Sequence, residues 1–210
     1  MDKQVDKNHY EFRKYCDIER WSSYWHQIDE ILKCQPQSVL EIGVGDRVLA
    51  SYLKNNTDIQ YASVDIDSAL KPDVVCSVEY LKFKDDSFNL VCAFEVLEHL
   101  PFEKFELALL QLRRVSKKNV ILSLPHWGRH FSIDIRLPLL KRLKWQNKFS
   151  VAAKPHKFSG QHYWEIGKKG YSLKNVKSVI KKAGFEILKD YIVFESPYHH
   201  FFVLEKIKQE

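Results

Sequence analysis

The sequence predicts a single α/β domain in which a mostly parallel β-sheet is covered by helices on both faces. The chain has 210 residues, a length that suits one ordinary domain. Short β-rich runs alternate with amphipathic helical segments, and this alternation is typical of parallel sheets. The β-rich runs are apolar along most of their length, as in strands that are buried on both faces.

The predicted elements follow one another regularly as far as Pro125. Apolar and aromatic residues at mixed three- and four-residue spacing predict one or two helices over residues 10–32, as a lid or a flank. Further helices are predicted over residues 48–54 and 102–115. The predicted strands of this part cover residues 38–42, 60–66, 73–76, 87–94 and 119–124.

The alternation stops after Pro125. The next clear helix is predicted over residues 173–183 and is closed by Gly184 in the position of a C-terminal cap. In the long interval between them we expect some helix around residues 137–143 and a part of the substrate pocket. Two strands follow, at residues 185–193 and 200–207. Their short connection favours an antiparallel pair, so we expect the last strand to run against the others.

Charge is segregated along the chain. Residues 38–100 contain eleven acidic and five basic side chains, whereas residues 126–170 contain ten basic and two acidic ones. The basic region also holds four histidines and three tryptophans. Such a region attracts an anionic substrate, an acidic peptide, a nucleic acid or a membrane surface, or it is a solvated face that improves solubility.

Several protein classes do not fit the composition. No apolar run approaches the roughly 18 residues of a membrane span, and the first twenty residues are too polar for a secretory signal. We therefore expect a cytoplasmic protein. The four cysteines are widely separated, with no CxxC pair and no histidine at zinc-finger spacing. We expect reduced thiols and no metal site.

A glycine turn follows the first predicted strand, in Glu41-Ile42-Gly43-Val44-Gly45-Asp46-Arg47. Glycine lets the backbone turn tightly and approach a ligand without a Cβ atom in the way. The carboxyl end of such a strand is where a ligand crevice opens. The GxGxxG pattern of nicotinamide and flavin enzymes requires glycine at position 48, where this chain has Val48. The turn therefore indicates a different ligand.

An acidic residue stands at the end of the second predicted strand, 24 positions beyond Glu41, in Tyr61-Ala62-Ser63-Val64-Asp65-Ile66-Asp67. A carboxylate there can accept hydrogen bonds from both ribose hydroxyls of an adenosine-containing cofactor. Asp65 is the better candidate, and Asp67 is expected to serve in a turn or a cap. The alternative for Asp65 is a helix N-cap.

Over residues 38–124 the chain resembles the class I S-adenosylmethionine-dependent methyltransferases, especially the small bacterial-type enzymes. The resemblance is strongest in VLEIGVGDR, YASVDID and VEYLKFKDDSFNLVCAFEVLEHLP. It implies a Rossmann-like sheet and S-adenosyl-L-methionine as cofactor. The parts of the single domain are then an N-terminal helical region (1–35), a cofactor-binding core (36–125), a substrate-side insertion (126–170) and a C-terminal helix with a strand pair (171–210).

The resemblance also implies which residues surround the cofactor. Glu41, Gly43 and Gly45 are expected around its methionine part, and Asp65 is expected to hold the ribose. These families often have a third glycine, and here that position is Arg47. A long side chain alters the local turn, so Gly43 and Gly45 are the firmer members of this group.

The remaining implied contacts lie along the adenine and near the sulfonium. Ile66 is expected to pack on the adenine ring, with Val78 and Glu79 along its edge. Glu95 and Val96 are expected to approach the cofactor near the sulfonium.

The cofactor sets the chemistry that the protein must supply. A sulfonium-bound methyl group is already electrophilic, so the protein has to align a nucleophile and exclude water, and no metal is required. A hydroxyl or amine acceptor benefits from a general base, whereas an ionised carboxylate does not. His99 and His126 are candidate bases because they follow the fourth and fifth strands, and His162 in the insertion is a third. The alternative for each is a role in packing or capping.

Basic residues of the insertion are candidates for binding an anionic acceptor. They are Arg129, His130, Arg136 and Lys157. We therefore predict methyl transfer to oxygen, and less readily to nitrogen, of an acidic small molecule, glycan or peptide.

Two other functions compete with this prediction. A nucleic-acid substrate is not expected, because the basic region has no recognisable nucleic-acid module. Ser123-Leu124-Pro125-His126 also stands where many amino-methylating DNA enzymes have Asn/Asp-Pro-Pro-aromatic. The alternative function is a catalytically inactive S-adenosylmethionine-binding protein with a regulatory or partner role, since a fold does not prove activity.

Overall fold

Helices surround a central sheet in the computed structural model, which describes residues 7–150, 153–158 and 160–207. Its α-helices are α1 (Phe12–Tyr15), α2 (Ile18–Lys33), α3 (Val48–Asn56), α4 (Phe105–Val115) and α5 (Leu173–Lys182). Its strands are β1 (Ser38–Ile42), β2 (Gln60–Asp65), β3 (Val74–Val75), β4 (Phe88–Phe94), β5 (Ser116–Pro125), β6 (Arg129–Ile135), β7 (Leu143–Phe149), β8 (Phe185–Ile192) and β9 (His199–Lys206).

Seven of these strands form one sheet, in the order β3-β2-β1-β4-β5-β9-β8. The first five in that order are parallel, and β9 runs antiparallel to both of its neighbours. The predicted fold class, including the reversed last strand, is therefore confirmed. The chain order reverses between β1 and β4, and in sheets of this kind a ligand crevice opens there, beyond the carboxyl ends of the strands.

The core has two parts, one on each face of the sheet. Leu40 and Ile42 of β1 pack in the part that includes residues of α4 and α5. Val39 packs in the other part, with residues of α2 and α3. Successive residues of a strand point to opposite faces, so an apolar run along β1 is buried on both sides. The apolar character of the predicted strands thus has a direct cause in the layering.

Local signals set several helix ends. The Asp17 side chain caps α2 by accepting a hydrogen bond from the backbone N–H of Arg20 at 2.7 Å. The Ser172 hydroxyl caps α5 in the same way, accepting from the N–H of Asn175 at 3.1 Å. Gly184 follows α5 with a φ of +85°, the left-handed conformation that ends many helices. The predicted glycine cap is therefore present.

The predicted helix around residues 137–143 is wrong. β6 and β7 form a separate antiparallel hairpin, and residues 136–142 are the connection between them. Pro138 lacks the N–H that a helix interior needs, and Leu139 has a φ of +67°. Along β6, Phe131, Ile133 and Ile135 alternate with polar residues, which is the two-residue period of a strand.

The hairpin is attached to the sheet through its polar face. The Gln146 side-chain amide donates a hydrogen bond to the carbonyl of Ile192 at 2.6 Å, and the Lys148 ammonium donates to the carbonyl of His126. The apolar residues lie on the other face, where Phe131 is 54% exposed and Trp145 49% exposed. The insertion therefore presents an apolar and basic surface to solvent.

Two general features of the described residues complete the fold. None of their helices combines the length and apolar character needed to cross a membrane. The four cysteines are free thiols, of which Cys92 is buried and the other three are half-buried.

Candidate active site

An open cavity lies at the carboxyl ends of β1, β2 and β4. Its position is the edge at which the strand order reverses, where ligands bind in sheets of this kind. The lining residues come from the N-terminal region and from the segments that follow these strands. They are Tyr10, Tyr15, Ile42, Gly43, Gly45, Val64, Asp65, Ile66, Asp67, Leu70, Cys76, Val78, Phe94, Glu95, Val96 and His99.

The glycine turn forms one wall of the cavity and requires glycine at its first position. Gly43 has a φ of +80°, and its N–H donates a hydrogen bond to the carbonyl of Val64 at 2.7 Å. A Cβ atom on Gly43 would lie 2.4 Å from Cγ2 of Val96. Gly45 has a φ of +48° and more space around it, since its nearest neighbour would be a ring atom of Tyr10 at 3.6 Å.

Arg47 stands where the resemblance leads one to expect a third glycine. Its φ is +68°, so the backbone keeps the left-handed conformation that glycine favours. The guanidinium crosses to the loop after β2 and donates to the carbonyl oxygens of Leu70 at 3.3 Å and Lys71 at 2.9 Å. Arg47 therefore ties the glycine turn to the loop on the opposite side of the cavity.

Asp65 joins the end of β2 to the glycine turn. Its Oδ2 accepts from the N–H of Val44 at 3.0 Å, and its Oδ1 accepts from the N–H of Asp67 at 2.8 Å. Each oxygen has a second lone pair for a ligand hydroxyl. Asp67, not Asp65, caps the short 3₁₀ helix that follows, by accepting from the N–H of Ala69 at 2.9 Å. The N-cap alternative for Asp65 therefore does not apply.

Two of the residues expected around the cofactor lie outside the cavity lining. Glu41 is buried beneath the turn and accepts a hydrogen bond from the Tyr61 hydroxyl. Burial raises the pKa of Glu41 to about 8. Glu79 forms an ion pair with Lys104, with 2.9 Å between its Oε1 and the Nζ atom. The other seven expected residues, which are Gly43, Gly45, Asp65, Ile66, Val78, Glu95 and Val96, line the cavity.

The N-terminal region, which the sequence predicts as a lid or a flank, closes one side of the cavity with tyrosines that were not predicted individually. The rings of Tyr10 and Tyr15 have their centroids 4.9 Å apart in an edge-on arrangement, and both line the cavity. The Tyr24 hydroxyl of α2 donates to Asp46 Oδ2 at 2.5 Å, which attaches this region to the glycine turn. Burial raises the pKa of Tyr15 to about 12, so its hydroxyl is neutral at physiological pH. The available signal was the density of tyrosines within residues 10–24.

Four residues form an acid–histidine cluster beside the cavity: Glu95, Glu98, His99 and His162. The first three follow β4, and His162 comes from the insertion. Nε2 of His162 lies 3.9 Å from Oε1 of Glu98, and the centroids of the two histidine rings are 5.0 Å apart. His99 and His162, two of the predicted catalytic histidines, are therefore neighbours although 63 positions separate them.

Both carboxylates of the cluster have oxygens without a hydrogen-bond partner among the described residues. Both carboxylate oxygens of Glu98 and Oε1 of Glu95 are buried without a partner in the described part of the chain. Glu95 also has a φ of +54°, a conformation that non-glycine residues rarely adopt and that is common at functional sites. Burial raises the pKa of Glu95 to about 7 and lowers the pKa of His99 to about 4.

The third candidate base and the basic candidates lie elsewhere. His126 is buried, with its Nδ1 atom 2.9 Å from Nδ1 of His200, and it does not line the cavity. His130 lies on β6, where its Nε2 is 3.2 Å from Oε1 of Gln146. Arg129, Arg136 and Lys157 are exposed, and none of them lines the cavity.

Comparisons with known proteins identify a family and solved structures with the same fold. A family described as a methyltransferase domain matches residues 8–190. A search of curated proteins found no match. Among solved structures, the chain is similar to 1,6-didemethyltoxoflavin-N1-methyltransferase from Burkholderia thailandensis, which holds S-adenosylhomocysteine and its 1,6-didemethyltoxoflavin. The TM-score is 0.61 at 13% identity, covering 91% of this chain and 82% of that one.

Two further structures show the same fold. One is an S-adenosylmethionine-dependent methyltransferase from Clostridium acetobutylicum, with a TM-score of 0.61 and 10% identity over 95% of this chain and 96% of that one. The other is the glycopeptide N-methyltransferase MtfA complexed with S-adenosylhomocysteine, with a TM-score of 0.58 and 11% identity over 91% of each chain.

Proposed function

We propose that this chain, which belongs to the methyltransferase domain family, transfers the methyl group of S-adenosylmethionine to an oxygen atom of an acidic small molecule, glycan or peptide. One observation carries the proposal: Gly43, Asp65 and Glu95, from three separate segments, line one cavity at the carboxyl edge of the sheet. A glycine turn and a carboxylate that can accept hydrogen bonds from the ribose suit this cofactor, and an acidic group at the far end can accept a proton from a hydroxyl acceptor.

The residues of the cavity fit the cofactor. We assign the glycine turn to its methionine part, because the backbone at Gly43 has no Cβ atom to hold a ligand away. The carboxylate of Asp65 accepts hydrogen bonds from the ribose hydroxyls, using the lone pairs that its two backbone hydrogen bonds leave available. Ile66 and Val78 supply apolar surface for the adenine. When bound, S-adenosylmethionine supplies a sulfonium methyl group that is already electrophilic.

We place the acceptor at the end of the cavity formed by Glu95, Val96 and His99. Tyr10 and Tyr15 close the cavity beside the glycine turn and exclude water from the reacting atoms. A carboxylate acceptor there needs no base, whereas a hydroxyl acceptor must lose a proton. The acid–histidine cluster lies at this end of the cavity and contains side chains that can bind a proton. We therefore assign to it the proton that the hydroxyl acceptor loses.

The basic insertion supports an acidic acceptor. Arg129 is the first residue of β6 and Arg136 follows its last residue, and both side chains are exposed to solvent. Exposed cations raise the local concentration of an anion and increase its rate of association at low ionic strength. Because these side chains do not line the cavity, we assign them to attraction of the acceptor and not to the chemical step.

The first experiment is calorimetric titration of the purified protein with S-adenosylhomocysteine, followed by a screen of acidic acceptors for a gain of one methyl group in mass. We expect binding and methylation of an acid-bearing acceptor. No binding would contradict the proposal. Binding without turnover on any acceptor would favour the alternative of an inactive S-adenosylmethionine-binding protein.

The acidic character of the acceptor has its own test. With an acceptor in hand, R129A combined with R136A should weaken acceptor affinity at low salt, and added salt should reduce the difference. The matched control replaces two exposed lysines of α5, K174A combined with K181A, and should leave the affinity unchanged. An acceptor affinity that is the same in both double variants would show that the hairpin cations do not attract the substrate.

A further inference from the structure

We propose that Glu98, His99 and His162 bind one divalent first-row metal ion beside the cofactor cavity. Each of the three side chains offers one ligand atom, and these atoms all lie within 4.8 Å of one another. Two imidazoles and one carboxylate form a donor set that proteins use for zinc, manganese and iron. The sequence predicted no metal site, because these residues do not have the spacing of a zinc finger.

Glu98 is a buried carboxylate that a cation would stabilise. Its side chain is fully buried, and both carboxylate oxygens lack a hydrogen-bond partner among the described residues. A buried polar group without a partner is costly, and a buried carboxylate more so unless a cation compensates it. A metal ion bound to one oxygen of this carboxylate would supply that compensating charge.

Both histidines are oriented as metal ligands usually are. Nδ1 of His99 lies 3.1 Å from the carbonyl oxygen of Gln161, and Nδ1 of His162 lies 3.3 Å from Oε1 of Glu165. An oxygen of either kind accepts, so Nδ1 of each neutral ring carries the proton and Nε2 is the atom with the lone pair. Metal-bound histidines are commonly held in this way by a carbonyl or a carboxylate.

The ligand atoms are close enough to share an ion after small side-chain movements. Nitrogen and oxygen ligands lie about 2.0–2.2 Å from zinc, so two of them on a tetrahedral ion are about 3.3–3.6 Å apart. The three atoms, now within 4.8 Å of one another, would have to approach by about 1 Å or less. Nε2 of His162 and Oε1 of Glu98 are 3.9 Å apart, too far for a direct hydrogen bond. Three protein ligands also leave positions on the ion for water or substrate, as in catalytic metal sites.

The location of the ion gives it a use, which rests on the proposed methyl transfer. His99 lines the cofactor cavity, so an ion held by Glu98, His99 and His162 would lie beside the place where a hydroxyl acceptor enters. Such an ion would supply Lewis acidity that makes the hydroxyl easier to deprotonate. Glu95 would take up the proton that the hydroxyl loses as its oxygen gains the methyl group of the sulfonium, and S-adenosylhomocysteine would be left as a neutral thioether. In this arrangement His99 and His162 are ligands, and Glu95 is the proton acceptor.

The test measures metal binding directly, without an acceptor. Purified protein is stripped with EDTA and titrated with Mn²⁺ alone, with free Mn²⁺ followed by electron paramagnetic resonance, and the titration is repeated calorimetrically with Zn²⁺. We expect about one ion per chain and an affinity at least about tenfold lower in E98Q and in H162Q. The matched controls E103Q and H130Q, both outside the cluster, should keep the affinity of the unmodified protein.

The same samples are titrated with S-adenosylhomocysteine, which separates the metal proposal from the proposed function. Variants that bind S-adenosylhomocysteine normally but not the metal would support the site. If E98Q fails to fold, H162Q decides, because the His162 side chain is 19% exposed and tolerates replacement better. Failure of the unmodified protein to bind either metal, or equal binding by the cluster variants, would overturn the metal site and leave the methyltransferase proposal standing. Absence of S-adenosylhomocysteine binding would count against that proposal alone.

Discussion

The carboxylate of Asp65 accepts a hydrogen bond from the backbone N–H of Val44, with 3.0 Å between Oδ2 and the nitrogen. The other oxygen of the same carboxylate accepts from the N–H of Asp67. One side chain therefore holds the glycine turn and the end of β2 in a fixed relation while it faces the cavity. Binding of the cofactor and the shape of its site depend on the same group.

Replacement of Asp65 by asparagine should weaken cofactor binding. An amide has one acceptor oxygen, so its NH₂ group would meet one of the two backbone N–H groups and leave it unpaired, at a cost of about 1–3 kcal/mol. We expect D65N to bind S-adenosylhomocysteine about five- to 150-fold less tightly, measured by calorimetry. D58N, an exposed aspartate just before β2, is the control. Unchanged affinity in D65N would remove Asp65 from the site.

The two glycines of the turn should differ in their tolerance of alanine. A Cβ atom on Gly43 would meet Val96 Cγ2 at 2.4 Å, whereas one on Gly45 would meet only Tyr10 at 3.6 Å. Both positions have positive φ, so the difference between the variants reports the steric contact. We expect G43A to lose S-adenosylhomocysteine binding and G45A to weaken it less. Combining G43A with V96A should recover part of the loss, and equal losses in G43A and G45A would contradict the steric account.

Trp164 should be the main anchor of the insertion. Its side chain is fully buried, and its indole N–H donates a hydrogen bond to the carbonyl of Leu100 at 3.1 Å. The centroid of its ring lies 4.9 Å from the ring centroids of both Phe102 and Phe105. We expect W164A to lower the free energy of unfolding by about 3–5 kcal/mol, measured by urea denaturation. The control is W145A on the exposed face of the hairpin, for which we expect a change within about 0.5 kcal/mol. Similar losses in the two variants would contradict an anchoring role.

Stability should fall in acid because of His126. Burial, with the positive charges of His200 and Lys148 beside it, lowers the pKa of His126 to about 3. The unfolded chain binds this proton near the ordinary pKa of 6.5. Between these values the unfolded state therefore holds more protons, and the free energy of unfolding decreases as the pH is lowered.

The variant H126Q removes this contribution. We expect the slope of unfolding free energy against pH to become shallower between pH 6.5 and 3, by at most about 1.4 kcal/mol per pH unit. Above about pH 8 the histidine is neutral in both states, so the difference between variant and unmodified protein should be constant there. Urea denaturation at a series of pH values measures both. An unchanged acid slope in H126Q would assign the acid sensitivity to other groups.

The parts of the fold that follow from local signals were predicted closely. β1 has the predicted bounds, because an apolar run followed by a glycine turn defines both of its ends. The helix that ends before Gly184 follows from a periodic apolar face and a glycine cap. The hairpin of β6 and β7 was not predicted. The leucines on both sides of Pro138 have the spacing of an apolar helix face, but in the structure they are exposed to solvent.

Prediction of the site was limited in a different way. Gly43 and Asp65 were identified because each stands at the end of a strand, in a pattern that is complete within a few residues. Tyr10 and Glu98 were not identified as parts of the site, and the contact between Glu98 and the predicted His162 was not foreseen. No local pattern specifies a contact between residues 98 and 162, since it depends on how the insertion returns to the sheet.

The amino-acid sequence by itself determined the layered α/β architecture, the glycine turn and the acid after β2, because strand burial and turn chemistry act over a few neighbouring residues. Tertiary structure alone decided which side chains close the cavity and which histidine meets the buried Glu98. Those contacts join segments far apart in the chain, and their geometry is set by packing against the completed sheet.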